Sequence, residues 1–176
     1  STTHQPPIFI SGSDLGTYTL TPTNPGTVAS TGTVTVVQVL PDGITPVGVP
    51  TGTGWACSVA GQMVSCTSSA PIPAGGQGTP IVVRAAVASG LGGRTLTATT
   101  TIAWGGEAST LTGNNTSVES TAIVTLASLA GHVWLDQSHT RTLNNPQSVP
   151  QAGWTVELLF NGSVLHTTST DAAGAY

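Results

Sequence analysis

Apolar and polar residues alternate along most of the chain with the two-residue period of half-buried β-strands. β-Branched residues fill these segments, and no window shows sustained helical periodicity. The pattern predicts strands at residues 17–20, 33–40, 81–87, 95–104 and 117–126. Turns rich in proline and glycine separate them, at 22–26, 41–43 and 71–78. Many short strands with regular turn signals are typical of an all-β sandwich.

Residues 55–66 contain both cysteines and predict a β-hairpin. A turn at Gly61-Gln62 pairs Ala60 with Met63, Val59 with Val64, Ser58 with Ser65 and Cys57 with Cys66. Glycine at the first turn position suits a type II′ turn. The cysteines then form a non-hydrogen-bonded pair, whose Cα atoms are close enough for a disulfide. Reduced or metal-bound cysteines are the alternatives, but this register favours a disulfide and hence an oxidising compartment.

Charged residues make up only 6% of the 176 residues, against about 25% in a typical globular protein. The net charge is -4, and the basic side chains other than histidine are Arg84, Arg94 and Arg141. Nucleic acids and anionic membranes are therefore poor partners. No apolar stretch approaches the length of a membrane span. A small net charge favours association, so we expect the protein to self-associate.

Residues 17–126 resemble the conserved repeat module, long labelled a domain of unknown function, of large bacterial and archaeal surface proteins. The matching motifs occur in the order Tyr18-Thr19-Leu20 with Thr23-Asn24-Pro25-Gly26, Leu40-Pro41-Asp42-Gly43, Gly54-Trp55-Ala56-Cys57 with Val64-Ser65-Cys66, and Gly113-Asn114-Asn115-Thr116. The resemblance implies an immunoglobulin-like β-sandwich over residues 17–127. Residues 1–16 then form an N-terminal arm or an edge strand.

Residues 131–176 resemble the B-type module of serine-aspartate-repeat adhesins, a prealbumin-like sandwich. The matching motifs are Gly131-His132-Val133-Trp134-Leu135-Asp136, Ala152-Gly153-Trp154-Thr155-Val156-Glu157-Leu158-Leu159, and Thr170-Asp171-Ala172-Ala173-Gly174-Ala175-Tyr176. Members of that family continue beyond the position of Tyr176 with strands that close the sandwich. The resemblance therefore implies that residues 131–176 form an incomplete second β-sandwich.

B-type modules often bind calcium in the loop that follows the tryptophan strand. In this chain the weak candidates for such a site are Asp136, Asn144 and Asn145. One carboxylate rarely holds calcium, so we expect a plain turn and no cofactor.

Relatives of this fold often carry an internal Lys–Asn isopeptide bond. The chain has no lysine and cannot form that bond.

Other polar residues do not suggest catalysis. His132, Asp136 and His139 have no second cluster of ligands near them in sequence, so exposed polar residues are favoured over a transition-metal site. Nothing in the sequence brings Glu107, Glu119 and Glu157 together as an acid and base pair. No serine lies in a nucleophile elbow, and no glycine-rich loop leads into a helix. We therefore expect that the protein is not an enzyme.

The four tryptophans, Trp55, Trp104, Trp134 and Trp154, allow two interpretations. They either pack in cores and at the joint between domains, which we favour, or form a platform on which sugars stack.

Three Asn-x-Ser/Thr sequons begin at Asn114, Asn115 and Asn161. We interpret these asparagines as turn residues rather than glycan sites.

These features predict two β-sandwich units in series that serve as a structural module of an extracellular fibre or cell-surface stalk. In the finer hypothesis the incomplete second unit accepts a strand from another copy, and copies polymerise head to tail. The candidate strand donor is the run Pro7-Ile8-Phe9-Ile10. The alternative is a segment of a large adhesin that binds carbohydrate or a host receptor. Exposure of Trp104 or Trp154 beside a polar groove favours that alternative.

Overall fold

The computed structural model describes residues 1–105, 107, 112–137, 139, 148–160 and 162–176, without the side chains of Phe160 and Leu165. The strands of this part of the chain are β1 (Thr2–Gln5), β2 (Ile8–Ile10), β3 (Gly16–Leu20), β4 (Thr31–Val39), β5 (Ile44–Pro46), β6 (Ala56–Ala60), β7 (Met63–Ser68), β8 (Ile81–Val87), β9 (Thr95–Gly105), β10 (Thr116–Val124), β11 (Trp134–Asp136), β12 (Ser148–Pro150), β13 (Thr155–Phe160) and β14 (Ser163–Ser169). A short 3-10 helix spans Thr112–Asn114. The chain divides into unit 1, Ser1–Leu126, and unit 2, Ala127–Tyr176.

Unit 1 is a β-sandwich with one apolar core. Its first sheet has the strand order β1-β3-β8-β5, and its second has the order β2-β10-β9-β4-β7-β6. All strand pairs of these two sheets are antiparallel except β2 with β10, which is parallel. Inward side chains of both sheets, such as Tyr18, Val83, Val36 and Ile123, form the core. The predicted all-β fold is therefore confirmed.

The alternating segments form strands close to their predicted bounds. β8 begins and ends where the pattern predicts, and the bounds of β3, β4, β9 and β10 differ from the prediction by at most two residues. β3 shows the physical basis, because Gly16, Tyr18 and Leu20 are buried while the threonines between them are half-buried. β1 and β5 were not predicted, since each is too short to display a period.

The described part of unit 2 contains two antiparallel strand pairs, β11 with β12 and β13 with β14. Thr170, which is 5% exposed, ties the start of β13 to the end of β14. Its Oγ1 donates to the carbonyl of Gln151 at 2.6 Å and accepts from the N–H of Trp154 at 3.0 Å. Gly131 and Tyr176 exchange two backbone hydrogen bonds, at 3.1 and 3.0 Å. A Cβ at Gly131 would lie 2.5 Å from the Tyr176 hydroxyl, so a larger residue at this position would displace the Tyr176 side chain.

Tyr18 links the two sheets of unit 1 through its hydroxyl. The side chain is fully buried, and the hydroxyl oxygen lies 3.1 Å from Thr121 Oγ1 on β10. Burial raises the pKa of Tyr18 above its ordinary value, because the charged phenolate is poorly solvated in the core. The hydrogen bond to Thr121 opposes that rise in pKa, whereas the nearby charge of Glu119 adds to it.

We predict that unit 1 loses stability as the pH rises above about 10. The raised pKa of Tyr18 means that the unfolded chain releases this proton first. The contribution of protonated Tyr18 to the free energy of unfolding is fully present below the pKa of the unfolded chain. It is lost as the pH rises through the pKa of the folded protein. Urea denaturation at a series of alkaline pH values measures the slope. Tyr18→Phe is less stable at neutral pH but should decline less steeply, and an unchanged slope in this variant contradicts the assignment.

Candidate functional site

The cysteine hairpin has the predicted register. In β6 and β7, Cys57 lies opposite Cys66 and Ala60 lies opposite Met63. Cys57 and Cys66 form a disulfide, and their Cα atoms are 4.0 Å apart. Gly61 has a φ of 61° while Gln62 does not have a positive φ, which is the pattern of a type II′ turn. Because the closed loop is short, the loss of chain entropy in the unfolded state is worth about 2–3 kcal/mol.

Trp55 has a structural role at the start of this hairpin. Its side chain is half-buried and packs against the core of unit 1. The indole Nε1 donates to both the carbonyl oxygen and Oγ1 of Thr79, each at 2.9 Å. Thr79 Oγ1 in turn donates to the carbonyl of Thr53 at 2.6 Å. Trp55 therefore fastens two loops together, as the packing interpretation of this tryptophan predicts.

The candidate strand donor, Pro7-Ile8-Phe9-Ile10, is part of unit 1. β2 pairs with β10, with Ile8 opposite Ala122 and Ile10 opposite Val124. Phe9 is 1% exposed, and its ring meets the ring of Tyr18 edge-on with the centroids 5.4 Å apart. A Cβ at Gly16 would lie 2.6 Å from the Phe9 ring, so Gly16 makes room for it. Pro7-Ile8-Phe9-Ile10 is therefore an integral part of the first sandwich. Residues 1–16 contribute an edge strand to each sheet rather than a free arm.

Replacing Phe9 should therefore destabilise unit 1. Phe9→Ala removes a buried ring and is expected to cost about 3–5 kcal/mol. Ile8→Ala is the matched control, because Ile8 is 47% exposed and its truncation should cost less than about 1 kcal/mol. Urea denaturation followed by circular dichroism measures both values. Equal costs for the two variants would show that Phe9 does not occupy the core.

Unit 2 exposes apolar side chains on both of its strand pairs. Those that are 42–57% exposed are Leu135, Val149, Trp154, Leu158, Leu159 and Val164. Val156 and Leu158 share one face of the β13–β14 pair with their partners Thr168 and His166. With Leu129 and Tyr176 they line a groove of about 370 Å³, which we call the β13 groove. An apolar surface that is open in this way is typical of a protein interaction site.

A second groove lies in unit 1 beside the half-buried Trp104 and has a volume of about 490 Å³. We call it the Trp104 groove. The described residues that line it include Asn24, Val28, Thr31, Glu107 and Asn114. Asn24 is buried and donates to the carbonyls of Val28 and Ile72, at 2.8 and 3.1 Å, so its amide N–H groups serve the fold. The open face of the groove combines an aromatic ring with a few polar groups, an arrangement that suits a small ligand.

The metal and glycan candidates fall partly outside the described residues. Asn144, Asn145 and Asn161 lie outside them, whereas Asp136 ends β11 opposite Ser148. His132 and His139 are exposed. Within the described ranges, no group of three or more His, Cys, Asp or Glu side chains could hold a metal ion. The calcium site therefore remains a hypothesis from the sequence.

The three glutamates considered as catalytic groups have separate surroundings. Glu107 Oε2 accepts from Asn115 Nδ2 at 2.7 Å, and Glu119 Oε1 lies 2.6 Å from His4 Nδ1. Glu157 belongs to β13 in unit 2. His4 Nε2 is also 3.1 Å from the carbonyl oxygen of Pro7. Because β1 and β10 belong to different sheets, the contact of His4 with Glu119 joins the two layers of the sandwich.

Polar residues in the core of unit 1 were missed by the sequence analysis. Gln38 is 0% exposed and lies opposite Thr100, which is 7% exposed, in the pairing of β4 with β9. Among the described residues, neither the Gln38 amide nor the Thr100 hydroxyl has a hydrogen-bond partner. The alternation of Val34, Val36, Gln38 and Leu40 places Gln38 inward. The two-residue period of β4 is the sequence signal that could have predicted a buried Gln38. In this strand the period prevails over the usual preference of glutamine for the surface.

No protein-family model matches the chain, and no curated protein matches its sequence. Several solved structures have a similar arrangement of strands. The major pilin subunit of Bacillus cereus aligns with a TM-score of 0.49 and 12% identity, over 96% of this chain and 51% of the pilin. The N-terminal domain of a Streptococcus gordonii adhesin aligns with a TM-score of 0.49 and 13% identity, over 72% of this chain and 32% of that structure.

An enzyme is also among these structures. AvmM, which catalyses macrocyclization in alchivemycin A biosynthesis, aligns with a TM-score of 0.45 and 13% identity, over 73% of this chain and 90% of the enzyme. The chain thus spans about half of the pilin and about a third of the adhesin structure. At such identities and scores, these likenesses do not define a function.

In the part of the chain that the structure describes, no helix is long and apolar enough to cross a membrane.

Proposed function

We propose that the chain is a structural module of an extracellular fibre or cell-surface stalk. The observation that carries the proposal is the exposed apolar surface of the β13–β14 pair, where Leu158 and Val164 are 47% and 50% exposed. The disulfide between Cys57 and Cys66 supports an oxidising, extracellular location. The low proportion of charged residues supports association with other copies.

In this proposal the β13 groove accepts an extended strand from a neighbouring copy. β13 and β14 form a sheet of two strands, so each strand has an edge with backbone groups that the other does not pair. An added strand pairs with one of these edges and places alternate side chains against Val156, Leu158 and Leu129. Repetition of this contact from copy to copy is head-to-tail and generates a filament.

The N-terminal run can act as the donor only by exchange. Pro7-Ile8-Phe9-Ile10 must first leave β10, which uncovers the buried ring of Phe9. That step costs about 3–5 kcal/mol for the ring alone, and strand insertion into unit 2 has to exceed this cost. The corrected hypothesis is therefore an exchange between copies, in which the strand that fills the β13 groove is released from a neighbour's unit 1.

Charge introduced into the β13 groove should block assembly. Leu158→Lys places an ammonium group on the lining face, whereas Thr167→Lys adds the same charge at an exposed position on the opposite face. In light scattering over a concentration series, the wild-type chain and Thr167→Lys should form large species. Leu158→Lys should need at least a tenfold higher concentration for the same species, since burying the ammonium is costly.

Two results would overturn the polymer proposal. One is a wild-type chain that stays a monodisperse, folded monomer throughout the concentration series. The other is equal assembly of Leu158→Lys and Thr167→Lys, which would show that the β13 groove is not involved. Circular dichroism of each variant establishes that the strands are intact.

A second candidate function is ligand binding by an adhesin segment. The specific observation is the Trp104 groove, where a half-buried indole lies beside Thr31, Glu107 and Asn114. An aromatic face with hydrogen-bonding neighbours suits a neutral carbohydrate, which offers both apolar C–H faces and hydroxyl groups.

Tryptophan fluorescence during titration with neutral oligosaccharides tests this second candidate. A saturable change in the wild-type chain that is lost in Trp104→Ala is the expected result. Trp154→Ala is the control, because Trp154 is exposed but belongs to unit 2. The absence of a saturable change with a panel of such oligosaccharides, or its persistence in Trp104→Ala, counts against carbohydrate binding in this groove.

A further inference from the structure

β6 is an outer strand of unit 1 whose edge lacks the usual protection. It spans Ala56–Ala60, is the last strand of the six-stranded sheet, and pairs with β7 without a bulge. It contains no proline and no charged residue. The other outer strands of unit 1 are shorter: β2 has three residues and follows Pro6-Pro7, β5 has three residues and ends in Pro46, and β1 has four residues and includes His4. Among the described strands of unit 1, β6 is thus the longest edge, and it lacks the proline, charge, bulge and short length that prevent pairing with another chain.

The surroundings of β6 are free of charge over a long stretch. Between Asp42 and Arg84, the sequence contains no Asp, Glu, Lys, Arg or His. This stretch includes β5, β6 and β7. Two copies that approach each other through β6 therefore meet no like charges on these strands.

The hairpin register determines which backbone groups of β6 face outward. The pair next to the turn, Ala60 with Met63, is hydrogen-bonded, and hydrogen-bonded pairs alternate with non-hydrogen-bonded ones. Ala56, Ser58 and Ala60 therefore direct their N–H and C=O groups to β7. Cys57 and Val59 direct theirs away from it, to the open edge.

We propose that unit 1 pairs with a second copy of itself through β6, antiparallel and about a twofold axis at Ser58. In this register, Cys57 of one copy lies opposite Val59 of the other, and each such pair exchanges two backbone hydrogen bonds. Ser58 faces Ser58 of the second copy at a non-hydrogen-bonded position. The twofold axis generates two pairs of Cys57 with Val59, so four outward N–H groups find four carbonyl oxygens.

The side chains are also complementary in this register. Cys57 and Val59 lie on the same face of β6, because they are two residues apart. Val59 is 38% exposed, although its partner Val64 is fully buried, since β6 is the last strand of the sheet. In the pair, Val59 packs beside the Cys57–Cys66 disulfide of the second copy, and the two small Ser58 side chains meet on the opposite face without a clash.

A contact of one five-residue strand is small, so the isolated chain should dimerise weakly and reversibly. Interfaces well below about 1,200 Å² are typical of transient association. In a fibre, many such contacts act together, and the effective concentration of neighbouring modules strengthens the lateral pairing. This inference concerns unit 1 and does not depend on the function proposed for unit 2.

Sedimentation equilibrium of the full chain tests the β6 pairing. Ser58→Lys places two ammonium groups opposite each other in the proposed register and should raise the dimer dissociation constant at least tenfold. Thr101→Lys is the matched control, because Thr101 is exposed on β9, an interior strand of the same sheet. In the Leu158→Lys background, it should dimerise like the chain that carries Leu158→Lys alone. Val59→Pro should also abolish the pairing between copies, because the N–H that it removes faces the open edge. The pairing of β6 with β7 should remain intact.

The Leu158→Lys background separates this test from the one on unit 2. If unit 2 drives polymerisation, that background weakens it at least tenfold, so the β6 dimer can be measured separately. Ser58→Cys should then form an intermolecular disulfide under mild oxidation, since the two Cα atoms of a non-hydrogen-bonded pair are within disulfide range, and Thr101→Cys should not. A chain that remains monomeric up to about 1 mM in this background overturns the proposal. Equal dimerisation of Ser58→Lys and Thr101→Lys overturns it as well.

Discussion

The edges of the sheets are the constraint on which this structure depends. Each outer strand carries N–H and C=O groups that no strand of its own sheet pairs. In unit 1 a single N-terminal run supplies one outer strand to each sheet, β1 to the first and β2 to the second. The ring of Phe9 and the contact of His4 with Glu119 fix this run between the layers. Charged side chains, which commonly protect edges, are scarce in this chain, so packing and short strand length protect three of the four edges.

The features that the sequence predicts well are those with local causes. β8 follows from an uninterrupted alternation that ends at turn residues on both sides. The hairpin register follows from the position of one glycine, since a two-residue turn at Gly61 fixes every pair between Ala60 and Ala56. Counting the pairs outward from this turn then places Cys57 opposite Cys66. None of these inferences requires knowledge of which strands meet across the sandwich.

The features that the sequence does not predict are non-local. In the sequence, residues 7–10 are an apolar run outside the predicted sandwich. Nothing near this run in the chain indicates that Phe9 packs beside Gly16 and Tyr18. The contact of His4 with Glu119 joins residues more than a hundred positions apart. The inward Gln38 follows the strand period but opposes the usual preference of its side chain. Of the candidate interaction surfaces, the sequence indicated unit 2 and Trp104, whereas the open edge of β6 emerged only from the strand order of the sheet.

The parallel pairing of β2 with β10 also determines how unit 1 would carry mechanical load. β2 is close to the N-terminal end of the unit and β10 is its last strand, and the two are neighbours that run in the same direction. A force that pulls the two ends of the unit apart reaches β2 through β1, which pairs with β3, and then acts along β2 and β10 in opposite directions. Their hydrogen bonds are sheared together, rather than opened one after another, and the buried ring of Phe9 resists the same displacement. The disulfide bridges only the β6–β7 hairpin, so it does not join β2 to β10, and their contact is entirely non-covalent.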